Sequence, residues 1–367
     1  MAIITALNAY AIEVPKKPWA NAKGSTSVQP AVIAELVTDN GVSGFGEINP
    51  SYGIPKETPA EIVSAISEYF AEALRGQPLD VLQVQTRMDR TLHGHQQAKD
   101  AVQTAALDAL GRTLGVPVHT LLGGKSVDRV PLAGPLGIAD LAATVADAER
   151  YVGEYGFRAL KMKIGKDPRL DVERVKAVRA AVGPDIVMRV DINEAYDLST
   201  ALRVIAALED VGLQSIEQPV KAWDVAGMAR VTASTSALVM ADEAVQSPIE
   251  AMDLARRHAV SAFHVKGAGR GGLIGAQRIA QIGAVAGIRS ICGRISTLTL
   301  GAAGEVHLAA ATPEILLPAE MSGHLMAHDD ITTERMQLVD GAVAVPTGPG
   351  LGFEVDREKL ERYRVDR

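Results

Sequence analysis

From residue 130 onward the chain repeats itself in form. Eight short, apolar, strand-like runs (130–135, 159–164, 187–192, 215–217, 238–241, 262–266, 289–292 and 315–317) begin 23 to 29 residues apart, most of them followed by a helical stretch. That interval is the length of one strand-plus-helix unit, and eight such units close into a (β/α)8-type barrel. The rival arrangement, an open doubly wound sheet, needs a glycine-rich phosphate turn after its first strand, and the sequence carries none there. The expected fold class is therefore α/β, built around a barrel.

What precedes the repeat is different. Residues 3–47 read as antiparallel strands, with Asn40-Gly41 as a hairpin turn. A helix follows, with Thr58 as N-cap, Glu61 three residues on and Gly76 as its stop. A second helical pattern runs through Ala101, Ala105, Leu107 and Leu110, and residues 121–130 read as a linker. The last stretch, "GPGLGFEVDREKLERY", lies too far along for another barrel unit and is expected to return to the first domain.

Composition narrows the class. Aromatic residues are 4% of the chain, so a core of Ala, Val, Leu and Ile is expected, which suits helices layered on a parallel sheet. A net charge of −7 without a basic run argues against nucleic acid and anionic membranes. The single Cys292 fits a reducing compartment. Without a basic leader or an apolar run of membrane-spanning length, a cytoplasmic location is expected.

In a barrel the chemistry lies at the carboxyl ends of the strands. Reading those ends in order gives Lys161 and Lys163, then Asp191, Glu217, Asp242 with Glu243, and Lys266. Three carboxylates from neighbouring strands, with no His or Cys among them, suit an oxygen-ligated Mg²⁺ or Mn²⁺; without a cation they would repel or take up protons. Lys161 and Lys163 share one strand face, with α-carbons about 6.7 Å apart. Their repulsion, on the order of 2.5 kcal/mol, would lower one lysine by roughly two pKa units at most. Such a lysine is poised as a base near neutrality, and Lys266 faces it from across the barrel. A metal-bound carboxylate between them could lose its α-proton, because the cation stabilises the enediolate.

"LKMKIG", "RVDIN", "SIEQP", "MADE" and "VKGAGRGG", in this order and spacing, resemble the enolase superfamily, specifically its muconate lactonizing branch. "AKDAVQTAALDALGRTLGVPVHTLLGG" and "PGLGFEVD" extend the likeness over almost the whole chain. The resemblance implies a modified TIM barrel, (β/α)7β, under an α+β capping domain: residues 1–125 as the cap, 126–345 as the barrel and 346–367 returning to the cap. It implies Asp191, Glu217 and Asp242 as metal ligands, Lys163 and Lys266 as the facing acid/base pair, and Lys161 tuning Lys163, with Asn193 and Glu243 beside the ligands. The seventh run ends without the His expected of mandelate racemase-like members, and "PAEMSGH" lacks the Asp-x-Asp of dipeptide epimerases. The implied activity is lactonization of cis,cis-muconate in aromatic catabolism by a homo-oligomer, often an octamer; N-acylamino acid racemases and o-succinylbenzoate synthases share the lysine arrangement.

One departure stands out. Where the branch usually carries a glutamate past the seventh strand, this chain has Thr297, with Arg294 nearby. Arg294 either pairs a substrate carboxylate or sits on a surface loop. Two capping loops, 16–25 and 50–55, are expected over the barrel mouth; Trp19, Lys23 and Ile54 either close the site over a dicarboxylate or are solvated loop residues. His93 and His95 read as a helix-start loop, Cys292 as packing, and Gly267–Gly272 as a tight turn.

Overall fold

The computed structural model describes residues 2–50, 57–294 and 296–366; Ile54 lies outside them. Strands β1 (Ile4–Asn21), β2 (Gly24–Thr38) and β3 (Ser43–Ile48) form an antiparallel sheet in sequence order. The Asn40-Gly41 turn joins β2 to β3, with Gly41 at φ +80°, where a side chain would be strained. Thr58 and Glu61 make the reciprocal cap foreseen from their spacing: the Glu61 N–H donates to Thr58 Oγ1 (3.3 Å) and the Thr58 N–H to Glu61 Oε2 (2.7 Å).

The helix Gln96–Leu114 lies on β3 through a seam of small residues. Ala101, Ala105 and Ala109 recur every fourth residue and meet Gly44 and Gly46; a Cβ on Gly46 would fall 2.0 Å from the Ala101 carbonyl oxygen. The close contact explains the alanine pattern. Backbone that approaches this near leaves no room for a larger residue on either side.

β4 (Arg129–Pro131) precedes the barrel. Seven parallel strands then follow in sequence order: β5 (Gly134–Leu136), β6 (Ala159–Lys163), β7 (Val187–Asp191), β8 (Ser215–Glu217), β9 (Leu238–Ala241), β10 (Ala262–Val265) and β11 (Arg289–Cys292). Two sequence expectations are modified. Run 130–135 is two strands, because β4 pairs antiparallel with β13 (Ala342–Ala344), which is hydrogen-bonded in turn to β12 (Leu338–Val339); the chain bends before entering the parallel sheet as β5. Run 315–317 forms no continuous ladder. Pro313 and Pro318 flank it and supply no amide donors, yet it spans the gap between the sheet's edges: Leu316 N–H donates to Ser290 O and Glu320 N–H to Cys292 O on one side, Ala319 N–H to Pro131 O on the other.

Side chains alternate along each strand. Leu238, Met240, Ala262, Ile291 and Leu316 form a small apolar cluster of their own, separate from the main core. Met240 shares a strand face with Asp242, and Ala262 with His264 and Lys266, so this cluster underlies an ionic layer. The C-terminal segment packs on the first sheet: Val365 N–H donates to Ala11 O, and Arg357 pairs with Glu35. Among the described residues no helix is long and apolar enough to cross a membrane.

Candidate active site

The ends of β6 to β10 open on one basin, a cavity of about 200 Å³ whose walls include Lys161, Lys163, Asp191, Glu217, Asp242 and Lys266. Strand register brings the acids together: Asp191 pairs with Glu217, and Glu217 with Met240, two residues before Asp242.

The lysines do not confront one another. Asp191 stands between them, with Oδ2 2.5 Å from Lys163 Nζ and 3.4 Å from Lys161 Nζ. Lys161 is further enclosed by Glu217 Oε2 and Glu320 Oε2, each at 2.6 Å. Burial alone would lower Lys161, but Glu217, Glu320 and Asp191 outweigh it and hold the ammonium well above its ordinary range. Mutual repulsion was the wrong term for Lys161, because carboxylates from three other segments interleave. Burial likewise opposes ionisation of Asp191, yet Lys163 and Lys161 keep its carboxyl well below normal. Asn193, in the left-handed conformation at φ +48°, turns its side chain back to accept from Lys163 Nζ at 3.0 Å.

Across the basin, Lys266 Nζ lies 2.6 Å from Asp242 Oδ1, which Arg270 also contacts. Burial is the largest influence on Lys266 and leaves it lowered despite Asp242. Asp242 itself is held well below normal: burial would raise it, and Lys266 and Arg270 prevail. The turn Gly267–Gly272 is fixed from behind, since Asp100 accepts the amides of Gly269 and Arg270.

Several contributors were not anticipated. His264 is buried two residues before Lys266, with Nδ1 3.2 Å from Glu217 Oε1 and Nε2 3.4 Å from Glu320 Oε2, neither aligned as a hydrogen bond. Arg189 reaches Glu320 Oε1 at 2.9 Å. Glu217, His264 and Glu320 are the acid–imidazole group whose ligand atoms approach within 4.8 Å. Glu320 is, however, already consumed by Lys161 and Arg189. Among the described residues Glu217 Oε1 has no hydrogen-bond partner; Asp191 and Asp242 bring further carboxyl oxygens, the donor type a hard divalent cation takes, but both are, like Glu320, ion-paired to basic side chains.

The remaining expected residues divide. Glu243 accepts from Lys23 Nζ (2.7 Å) and from Asn193 Nδ2 (3.2 Å). Lys23 therefore reaches the basin and is ion-paired there to Glu243 and Glu194. Trp19 stands between the basin and a second cavity of about 210 Å³ that also touches Tyr151, Tyr155 and Phe157 and holds none of the lysines at the strand ends. Arg294 lines the basin and donates to Asn49 O, so it is not a surface loop arginine. Thr297 is buried away from the basin, in a small space with Glu47 and Glu305. Lys16, which drew no notice in the sequence, is buried in the basin wall and donates to Gln29 Oε1 at 3.2 Å.

A barrel with an acidic trio at its strand ends and an amine on each side is the architecture of enzymes that move protons next to a carboxylate. The chain belongs to the mandelate racemase/muconate lactonizing enzyme family of the enolase superfamily: the family's N-terminal domain model matches residues 5–123, and the enolase C-terminal domain-like model matches 143–359. It is an enzyme. Muconate cycloisomerase 1 of Acinetobacter baylyi is 32% identical over 359 residues, 96% of this chain and 97% of that one. N-succinyl-L-Arg/Lys racemase of Bacillus cereus is 30% identical over 365 residues, 99% of this chain and 98% of that one. The crystal structure of muconate lactonizing enzyme from Pseudomonas fluorescens with muconolactone superposes with a TM-score of 0.94 at 31% identity, covering 99% of this chain and all of that one.

Proposed function

We propose that the protein is a muconate cycloisomerase, interconverting cis,cis-muconate and muconolactone. The observation that carries this is the flanking of the acidic trio by Lys163, paired with Asp191, and Lys266, paired with Asp242, on strands separated by β7, β8 and β9. Two amines so placed address opposite sides of a planar intermediate.

In this reading Asp191, Glu217 and Asp242 hold a divalent Mg²⁺ or Mn²⁺, which supplies charge stabilisation to a substrate carboxylate. One muconate carboxylate oxygen bonds to the conjugated double bond, and the displaced π-electrons move toward the α-carbon of the other carboxylate. Lys163, as ammonium, gives that carbon its proton. In reverse, neutral Lys163 removes it and the C–O bond breaks. Lys161, held cationic by Glu217 and Glu320, keeps the charge beside Lys163 fixed. Residues 1–125 with 346–367 act as the cap over the barrel of residues 126–345.

The runner-up is racemisation of an N-acylamino acid, which would use both amines as bases; the similarity to the Bacillus cereus racemase favours keeping it. One experiment separates them. Protein, Mn²⁺ and cis,cis-muconate in D₂O should yield muconolactone carrying one deuterium at its α-carbon by NMR, with no product from Lys163→Ala. Absence of muconolactone, together with α-deuteration of an N-succinylamino acid, establishes the racemase instead.

A further inference from the structure

Among the described residues, nearly every cation lining the basin is matched by a carboxylate. Lys23 pairs with Glu194 and Glu243, Lys161 with Glu217 and Glu320, Lys163 with Asp191, and Lys266 and Arg270 with Asp242. Lys16 and Arg294 are the exceptions. The hydrogen-bond partner of Lys16 is the neutral amide of Gln29, and that of Arg294 is the Asn49 carbonyl; Glu47 and Glu305 act on Arg294 only from beyond ion-pair distance.

A buried cation without a counter-ion is costly, and proteins seldom keep one that nothing will pair. Lys16 is held there by backbone on both sides: Lys17 N–H donates to Met326 O and His328 N–H to Pro15 O, pinning this part of β1 against the chain beyond the eighth run. Its placement is thus built, not incidental. Arg294 is held by its own guanidinium, which donates to the Asn49 carbonyl just past β3.

We propose that Lys16 and Arg294 form a second anion subsite in the basin, which accepts the carboxylate of a dianionic substrate at the end remote from the acidic trio. The inference rests on the functional reading only in taking the basin as the substrate site. A short-chain dicarboxylate fulfils the requirement, as does an N-succinylamino acid with its terminal carboxylate; a monoanionic N-acetylamino acid leaves both cations unmatched. Lys16 and Arg294 then select for the second charge.

The test is calorimetric binding to the full-length protein in Mg²⁺, using adipate as a saturated dicarboxylate and hexanoate as its monocarboxylate counterpart. Adipate should bind at least about tenfold more tightly than hexanoate, and Lys16→Met and Arg294→Met should each weaken adipate by about tenfold or more. Lys16→Arg should keep the preference, and unchanged hexanoate affinity in each variant reports an intact basin. Equal affinities for the two ligands in the wild-type protein, or wild-type adipate affinity in both methionine variants, overturns the subsite. Adipate selectivity without muconate turnover removes the cycloisomerase reading and leaves the subsite standing. Muconate turnover with adipate bound no better than hexanoate does the reverse.

Discussion

A side chain's alternation along its strand decides what can be read of it in advance. Lys161, Lys163, Asp191, Glu217 and Lys266 were legible because a charge at the end of an apolar run has no other place to go than the barrel mouth. His264 hid inside "AFHV" as one more strand residue, and Glu320 lay in an irregular stretch that pairs with both sheet edges. Lys16 is marked by alternation: on β1 it continues the buried series Ile12 and Val14, while Glu13, Pro15 and Lys17 face outward. Its burial lowers Lys16 from 10.5 to about 8, and since each tenfold in proton affinity is worth about 1.4 kcal/mol, the protonated form costs the fold about 3 kcal/mol. The folded pKa lies below the unfolded one, so the unfolded chain binds more protons between these values and stability rises with pH across that window. Lys16→Met should therefore raise the urea-unfolding free energy by a few kcal/mol at neutral pH, less the lost Gln29 hydrogen bond, and the gain should fade above about pH 10. An increment independent of pH, or a loss at neutral pH, would contradict this account.

At the scale of elements, period carried the reading further than boundaries did. Strand-like runs recurring at barrel spacing marked β6 to β11, because each is buried on both faces and shows as an apolar run. The split of 130–135 was invisible, since β4 owes its existence to β13, more than two hundred residues later. Long-range anchoring of this kind is concentrated in Asp108, on the helix Gln96–Leu114. It accepts the Phe45 N–H of β3 at 2.8 Å, the Leu351 N–H of the C-terminal turn at 2.7 Å and the Arg112 Nε–H at 3.0 Å. Three segments distant in sequence thus share one carboxylate. Asp108→Ala strands two buried amides, each worth about 1–3 kcal/mol when unpaired, so a loss of about 2–5 kcal/mol is expected in denaturant unfolding with unchanged m-value. A loss within about 0.5 kcal/mol, typical of surface positions, would show that the C-terminal segment is held by other means.

Across the whole molecule, the acidic layer is internally compensated. Asp191, Glu217, Asp242 and Glu320 are met by Lys161, Lys163, Lys266, Arg189 and Arg270, over an apolar floor of Met240, Ala262 and Ile291. The first sheet is bound to this layer from above: Lys23 reaches Glu194 and Glu243, Arg294 reaches Asn49, and Glu47 accepts the Leu298 and Gly301 amides. Because repulsion among the acids is already relieved, stability should not hinge on a metal ion. Chelator-treated protein should stay folded, with its near-ultraviolet circular dichroism retained. A cation that binds only the folded state should then add to stability by mass action, about 2.7 kcal/mol at a hundredfold excess over its Kd. Glu217→Gln, which alters the acid whose Oε1 has no hydrogen-bond partner, should abolish most of that Mg²⁺-dependent rise in Tm while leaving the protein folded. Unfolding on chelation would mean that the ion pairs do not neutralise the layer, and a Mg²⁺ response undiminished in Glu217→Gln would move the cation away from the trio of Asp191, Glu217 and Asp242.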